Sequence, residues 1–311
     1  MSLTMTIPVH KSVMLNEVIE ALCPQPGQRY VDCTLGVGGH AGAILNRILP
    51  GGKLLGIDAD PRSIELASTA LRGYSADVTL VNDNFLNLES ILRNHEFIPV
   101  QGILFDLGLS SAQLDNSERG FSFQQAGPLD MRFDCSQTLT AADVVNSFSE
   151  EKLAEIIRNF GEEKFSRRIA SQIVNSRPIT DTLQLVDAIK KATGGYRGKI
   201  HPATRTFMAL RIYINHELDN LLAALKQTIN CIDHGGRLVA ITYHSLEDRI
   251  VKQFIQSESK GCICPPSVPV CQCGHVASLK IINRKVITPT LDEILANPRS
   301  RSAKLRIAER L

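Results

Sequence analysis

Tyr30-Val31-Asp32-Cys33-Thr34-Leu35-Gly36-Val37-Gly38-Gly39-His40 reads as a buried strand that runs into a glycine-rich turn. The pattern after it predicts a helix over Ala41–Leu49 and a second strand, Lys53–Ile57, ending on Asp58. Glycine has no Cβ to hold a ligand away and tolerates positive φ, so the backbone of such a turn can approach a bound group closely. An acidic residue about twenty positions on suits the two hydroxyls of a ribose. The first part of the chain is therefore expected to bind a cofactor that contains a nucleoside.

Outward from this stretch the alternation continues. Val78–Val81 and Gly102–Phe105 read as strands, and Met14–Leu22, Pro61–Leu71 and Leu86–His95 as helices. Asp60 is expected to cap the helix that Pro61 opens. Buried strands alternating with helices argue for a parallel, doubly wound α/β sheet. After Leu109 the pattern changes. Ser110–Asp134 reads as a polar loop, followed by helices over Ala141–Asn146, Glu150–Asn159, Glu162–Asn175 and Thr182–Ala192. Gly194–Gly198 reads as a flexible break, and His201-Pro202 opens one long helix through about Leu225. Strand grammar resumes at Gly235–Tyr243, with a helix over Ser245–Gln256 and late strands at Leu279–Lys285 and Leu305–Glu309, read as antiparallel. The expected organisation is one α/β domain, residues 1–111 and 216–311, interrupted by an all-helical insertion over 112–215.

With 311 residues, 43% hydrophobic and 21% charged, the composition is that of a globular enzyme. No apolar run is long enough to span a membrane. Met1–His10 has neither a basic-then-apolar leader nor an Arg/Ser-rich transit pattern, so the expected location is cytoplasmic. The net charge of +2 is small, but Arg158–Arg211 holds 11 Lys/Arg against 4 Asp/Glu, and Lys280–Arg310 holds 8 against 3. Two basic segments suit an anionic partner, and equally suit solvated helix faces.

Gly36-x-Gly38-x-x-Ala41 fits the dinucleotide fingerprint, a weak signal alone. Asp32, before the glycines, shifts it toward S-adenosylmethionine: a carboxylate there can face the cationic amino group of a methionine moiety but would repel a pyrophosphate. Later strands also end in polar residues, and ligands of open α/β sheets bind beyond the carboxyl ends of strands. Asp58 suits the ribose, Asn84 and Phe85 can flank the adenine, and Asp106 would lie near the reacting end. Each of these aspartates alone could equally be a turn or cap residue. An NAD-dependent oxidoreductase using the same turn is the alternative from another class.

The run Asp32-x-Thr34-x-Gly36-x-Gly38-Gly39-His40 is joined by Asp106-Leu107-Gly108-x-Ser110-Ser111-x-Gln113-Leu114-Asp115 and Glu118-Arg119-Gly120-Phe121-Ser122-Phe123. Gly127-Pro128-Leu129-Asp130-Met131-Arg132, His201-Pro202-Ala203-Thr204-Arg205-Thr206-Phe207 and His244-Ser245-Leu246-Glu247-Asp248-Arg249 complete the set. With these motifs the chain resembles, over essentially its whole length, the ribosomal RNA small-subunit methyltransferase H family, cytosine-N4 methyltransferases of bacterial ribosomes. The resemblance implies a Rossmann-like class I S-adenosylmethionine-dependent methyltransferase sheet with an inserted helical substrate-recognition domain. It implies methyl transfer from S-adenosylmethionine to the exocyclic N4 of a decoding-centre cytidine in 16S ribosomal RNA. Free rRNA or the assembled small subunit would be the partner, and a homodimer is compatible with the family. It also implies cofactor contacts at Gly38, Gly39, His40, Asp58, Phe85, Asp106 and Gln113. A small-molecule or protein methyltransferase on the same fold is the nearer alternative.

Cytosine N4 is a poor nucleophile because its lone pair is conjugated with the ring, so acceptors around the amine would help by taking up developing positive charge. Asp106 with Ser110 and Ser111 is the expected cluster, and His244 a further residue that positions the reactants. Many amino-methyltransferases carry Pro-Pro and an aromatic here; this chain has Asp106-Leu107-Gly108-Leu109-Ser110 instead. Phe121 or Phe123 is the candidate to stack on the base, or else anchors its loop. Arg167, Arg168, Arg197, Lys199 and Arg205 are candidate phosphate contacts. Ser245 is the candidate N-cap of the helix after His244, with Asp248 in its first turn.

Of eight cysteines, Cys23, Cys33, Cys135 and Cys231 stand singly and are expected to be buried reduced thiols. Cys262-Ile263-Cys264 and Cys271-Gln272-Cys273 form a compact set that could hold zinc, although the pairs have one intervening residue where the usual knuckle has two. Members of the resembled family often lack these cysteines, which argues against a catalytic role for them and leaves a structural metal open.

Overall fold

The computed structural model describes residues 11–194, 201–265, 268 and 270–311. The chain divides into two compact units. One runs up to Gly108 and again from Asn220 to Leu311, and the other is Leu109–Asp219. The first break therefore falls at Gly108/Leu109, against 111/112 read from the sequence, and the second at Asp219/Asn220, against 215/216.

The first unit alternates α1 (Leu15–Leu22), β1 (Arg29–Asp32), α2 (Gly39–Ile48), β2 (Lys53–Asp58), α3 (Pro61–Ala70), β3 (Val78–Asn82), α4 (Leu88–Asn94) and β4 (Val100–Asp106). Each of these four strands agrees with its sequence-based range to within two residues; of the later strands, the one read from Gly235 starts at Ile232 and the one read over Leu279–Lys285 ends at Ile281. Asp60 caps α3 as expected, its Oδ1 accepting from Arg62 N–H at 3.1 Å. In the second unit α5 (Ser111–Asp115) is followed by α6 (Ala141–Ser147), α7 (Glu150–Gly161), α8 (Ser166–Asn175), α9 (Thr182–Thr193) and α10 (Ala203–Asn215). Next come α11 (Glu217–Cys231), β5 (Ile232–Thr242), α12 (Ser245–Glu258), β6 (Leu279–Ile281), α13 (Leu291–Ala296) and β7 (Lys304–Arg310).

The seven strands form one sheet in the order β3-β2-β1-β4-β5-β7-β6. Its first five are parallel, and β7 runs antiparallel between β5 and β6. This is the Rossmann-like α/β sheet expected from the sequence. Side chains alternate across it. Val31, Leu55, Ile57, Ile103 and Phe105 enter one core with α4, α11 and α12. Tyr30, Leu54, Leu104, Val239 and Ile241 enter the other with α1 and α2. Burial on both faces is why these strands read as apolar runs. The order reverses between β1 and β4, which opens a crevice beyond the carboxyl ends of those two strands.

The second unit is helical around its own core, where Leu153, Ile157, Ile169, Leu185 and Leu210 are fully buried. Several sequence-based ranges need correcting here. Ser110–Asp134 is not all loop, because α5 and a 3-10 turn at Ser117–Arg119 lie in it. The helix expected from Glu162 starts at Ser166, since Glu162 is left-handed at φ 47° and ends α7. The single helix expected from His201 to Leu225 is two, broken where His216 turns left-handed at φ 51°. Gly194 ends α9 at φ 63°, and the rest of the expected break, 195–200, lies outside the described residues. The isolated thiols also divide: Cys33 and Cys231 are buried, but Cys23 and Cys135 are exposed, against expectation. No helix among the described residues is long and apolar enough to cross a membrane.

Candidate active site

Three aspartates stand at the carboxyl ends of adjacent parallel strands: Asp58 closes β2, Asp32 closes β1 and Asp106 closes β4. These strand ends lie at or next to the reversal of strand order between β1 and β4. Asp32 is buried at 1% exposure, and its Oδ1 accepts from Thr34 N–H at 3.1 Å. Asp58 shapes the glycine turn: Oδ2 accepts from Gly36 N–H at 2.8 Å and Oδ1 from Asp60 N–H at 2.9 Å. The Thr34 hydroxyl accepts from Asp106 N–H at 2.6 Å, which ties the turn to the end of β4.

Gly38 is left-handed at φ 84° and caps α2 without a side chain. A Cβ on Gly39 would collide with Ser12 Oγ. Glycine at these two positions therefore lets the turn close and lets residues 11–14 cross over it. That segment is anchored on the other side, where Met14 N–H donates to Glu293 Oε1 at 2.6 Å and Asn297 Nδ2 donates to Lys11 O at 3.2 Å.

His40, 5% exposed, bridges the crossing segment and the cluster. Its Nε2 lies 2.9 Å from Val13 O, which can only accept, so Nε2 carries a proton. Nδ1 faces Asp106 Oδ2 at 3.5 Å, and the other oxygen, Oδ1, accepts from the Tyr243 hydroxyl at 2.7 Å. At that separation the His40–Asp106 contact is electrostatic rather than a hydrogen bond.

Burial pushes the Asp32 carboxyl up to about 6, with neighbouring His40 and the Thr34 N–H opposing it. Asp58 is likewise raised by burial to about 6, against the N–H donors of Asp60 and Gly36. Asp106 rises to about 7 through burial, opposed by the Tyr243 hydrogen bond and reinforced by the charge of Glu247. Burial lowers His40 and lifts Tyr243 well above the phenol range. Burial thus disfavours the charged form of both Asp106 and His40. Among the described residues, the basic side chain recorded against this acidic cluster is His40. Such a cluster fits a cationic ligand, whose charge would replace the missing counterions.

Sequence reasoning missed Tyr243. It follows β5, whose Ile241 pairs with Asp106, and the Tyr-His order after a central strand was the available signal. His244 itself is the N-cap of α12, a role assigned to Ser245 from the sequence. Its Nδ1 accepts from Glu247 N–H at 3.3 Å, and Nε2 lies 3.0 Å from Glu247 Oε1. Imidazole can replace a hydroxyl at a cap because Nδ1 sits where a capping oxygen would. Glu247, 2% exposed, returns the contact by accepting from His244 N–H at 3.3 Å, and the same oxygen accepts from Tyr243 N–H at 2.8 Å. Asp248 is ion-paired with Arg306 and Lys304.

Asn84 and Phe85 follow the end of β3. Asn84 Oδ1 caps a short 3-10 turn through Leu86 N–H, and half-buried Phe85 packs edge-on against Phe105 at 5.7 Å.

In the second unit Ser110 and Gln113 form a capping box at α5. Ser110 Oγ accepts from Gln113 N–H at 3.2 Å, and Ser110 N–H donates to Gln113 Oε1 at 3.0 Å. Phe121 is buried against Phe133, and Phe123 stacks on His201 at 4.8 Å and meets Phe207 edge-on. These contacts agree with the loop-anchoring alternative for both rings. Asn215 holds the Met131-Arg132-Phe133 run through Met131 O and Phe133 N–H, and Asp130 chelates Arg132 with both oxygens. Arg167 and Arg168 are exposed on α8, and Arg205 pairs with Glu163 at 3.7 Å. Arg197 and Lys199 lie outside the described residues.

A profile described as the MraW methylase family matches residues 8–311. A protein of Dehalococcoides mccartyi called ribosomal RNA small subunit methyltransferase H is 59% identical over 302 residues, covering 97% of this chain and 86% of its own. Its namesake in Brevibacillus brevis is 48% identical, with 97% and 98% covered. Among solved structures, an rRNA methylase from Streptococcus thermophilus superposes with a TM-score of 0.41 at 13% identity, covering 96% of this chain and 93% of that one.

Proposed function

Because the chain belongs to the MraW methylase family, we propose that it methylates small-subunit ribosomal RNA, and that its acceptor is the exocyclic N4 of a decoding-centre cytidine. The observation that carries the chemistry is the buried Asp32–Asp58–Asp106 cluster at the strand ends, with His40 against it. The donor is S-adenosylmethionine, which when bound supplies a methyl group already activated on a cationic sulfonium. Gly38, Gly39 and His40 bring the backbone of the turn to the donor. Asp32 would face its ammonium group, Asp58 would hold the ribose hydroxyls, and Phe85 would flank the adenine. Gln113 completes the donor contacts by family resemblance.

Asp106 has two tasks in this reading. Its carboxylate accepts a hydrogen bond from the acceptor amine, drawing the nitrogen lone pair out of conjugation and stabilising the charge that grows on it. Once N4 has been alkylated it is strongly acidic, and Asp106 Oδ2 with His40 Nδ1 can hold the proton it sheds. A carboxyl near 7 suits that exchange at neutral pH. Tyr243 orients the carboxylate. Ser110 and His244 are proposed as positioning residues, each as the cap of the helix that follows it. The helical unit, with exposed Arg167 and Arg168, supplies phosphate contacts that set the register of the RNA without reading its bases.

The test is methylation of small subunits and of free rRNA from a strain lacking the modification, using labelled donor, with the modified base mapped by mass spectrometry. N4-methylcytidine at one site is the expected product. Methylation of another base, or of no RNA by a donor-binding preparation, overturns the proposal.

A further inference from the structure

The segment between α12 and β6 is pinned at its base. Ser278 N–H donates to Glu258 O at 2.8 Å, and Ser278 Oγ bonds the Glu258 carboxylate. Beyond that base, the described residues from Lys260 to Ala277 contain no helix or strand and none is buried. The apolar side chains face outward, with Ile263 49%, Val270 70% and Val276 77% exposed. A loop of this length with no core of its own has no hydrophobic contribution to offset the entropy of ordering it.

Four thiols nevertheless converge in it. The Sγ atoms of Cys262, Cys264, Cys271 and Cys273 all lie within 4.8 Å of one another. Cys271 and Cys273 are 3.6 Å apart, and Cys273 and Cys262 3.8 Å. Zinc–thiolate bonds of about 2.3 Å make the edge of a sulfur tetrahedron about 3.8 Å. A disulfide would need about 2.05 Å, and all four cysteines are free. Backbone donors are already aimed at the sulfurs: Ile263 N–H at Cys273 (3.5 Å), Cys264 N–H at Cys262 (3.4 Å) and Gln272 N–H at Cys264 (3.4 Å). Two of these three cross from one Cys-x-Cys pair to the other, so each pair orients the other's sulfur. Donors of this kind stabilise thiolates and orient metal ligands.

We propose that Cys262, Cys264, Cys271 and Cys273 bind one zinc ion as a closed tetrahedral site that staples this loop. On binding, the four thiols lose their protons to solvent and no oxidation state changes. Four protein ligands leave no open position for water or substrate, so the ion is structural. It supplies the ordering free energy that the exposed apolar side chains do not. The short spacing within each pair, ambiguous in the sequence, is no obstacle, because each pair supplies one edge of the tetrahedron and the loop brings the edges together.

The full-length protein, purified without chelator, should carry about one zinc per chain by native mass spectrometry and elemental analysis. The Cys264→Ser/Cys273→Ser double variant should carry none, while Cys135→Ser, altering an exposed thiol of the other unit, should keep its full complement. Replacing the metal in the parent protein with cobalt should give the visible bands and intense near-ultraviolet thiolate charge transfer of a tetrahedral sulfur site. That readout does not depend on any variant folding. Three results each overturn the proposal: zinc retained equally by the double variant, iron in place of zinc, or a reduced parent protein that retains neither zinc nor cobalt after desalting.

Discussion

Asp106 is the residue on which the chemistry turns, and its surroundings explain why. One oxygen takes the Tyr243 hydroxyl, the other faces His40, and the backbone is held by Thr34. Asp106→Asn keeps the shape but cannot take a proton, so kcat should fall by about 10²–10³ while donor affinity stays measurable by calorimetry. An unchanged kcat would remove Asp106 from the mechanism. Tyr243→Phe deletes a hydrogen bond that holds the Asp106 carboxyl down. The acid limb of the kcat–pH profile should then move upward by roughly one unit, and a profile that stays in place would show that Asp106 is not the group titrating. Asp106 was legible in the sequence because it ends an apolar run. Tyr243 was not, because only the pairing of β4 with β5 brings it to that carboxylate.

Elements were legible wherever local chemistry marks their ends. Asp60-Pro61 opens α3 as read, and Asp60→Ala should cost about 1 kcal/mol in denaturant unfolding. The break at His216 was illegible, because apolar periodicity runs on through it and no glycine or proline announces it. A non-glycine residue there holds a left-handed conformation that costs about 1–2 kcal/mol. His216 is exposed, so His216→Gly should raise the unfolding free energy by about 0.5–1 kcal/mol. A loss of stability would mean that the imidazole itself is needed. The capping boxes at Ser110 and His244 carry the same lesson: two motifs that look catalytic also close the first turns of α5 and α12.

At the scale of the molecule the buried carboxylates couple folding, ligand and pH. Asp32, Asp58 and Asp106 titrate at about 6, 6 and 7 in the fold, against roughly 4 when unfolded. Between those values the unfolded chain has lost protons that the folded one retains. Their contribution to stability is thus fully present below about pH 4 and is lost as pH rises through 6–7. Groups whose carboxyls are held low, such as Asp130 and Asp248, act in the opposite direction, so the parent must be compared with a variant. Asp32→Asn should reduce the fall in melting temperature between pH 5 and pH 8, and a pH-independent difference from the parent would refute the linkage. A cationic donor requires the ionised cluster. Its affinity by calorimetry should therefore rise with pH below 6, by up to about tenfold per unit for each carboxyl that must ionise, and level off above 7; affinity that is flat over this range would argue against Asp32 and Asp58 as its partners.

The sequence alone determined the α/β sheet, the position of the glycine turn and the aspartates at the strand ends. Those features are local: a strand buried on both faces must be apolar, a turn residue at positive φ such as Gly38 favours glycine, and a polar residue ends a strand where pairing stops. Only the tertiary structure decided which groups meet. Tyr243 and His40 lie 137 and 66 residues from Asp106 along the chain yet contact its two oxygens. Cys262 and Cys273, 11 residues apart, bring their sulfurs to 3.8 Å in a loop that has no periodicity to read. Hydrophobic patterning specifies faces and periods, whereas the partners of a buried polar group are set by strand order and loop closure, which no local pattern encodes.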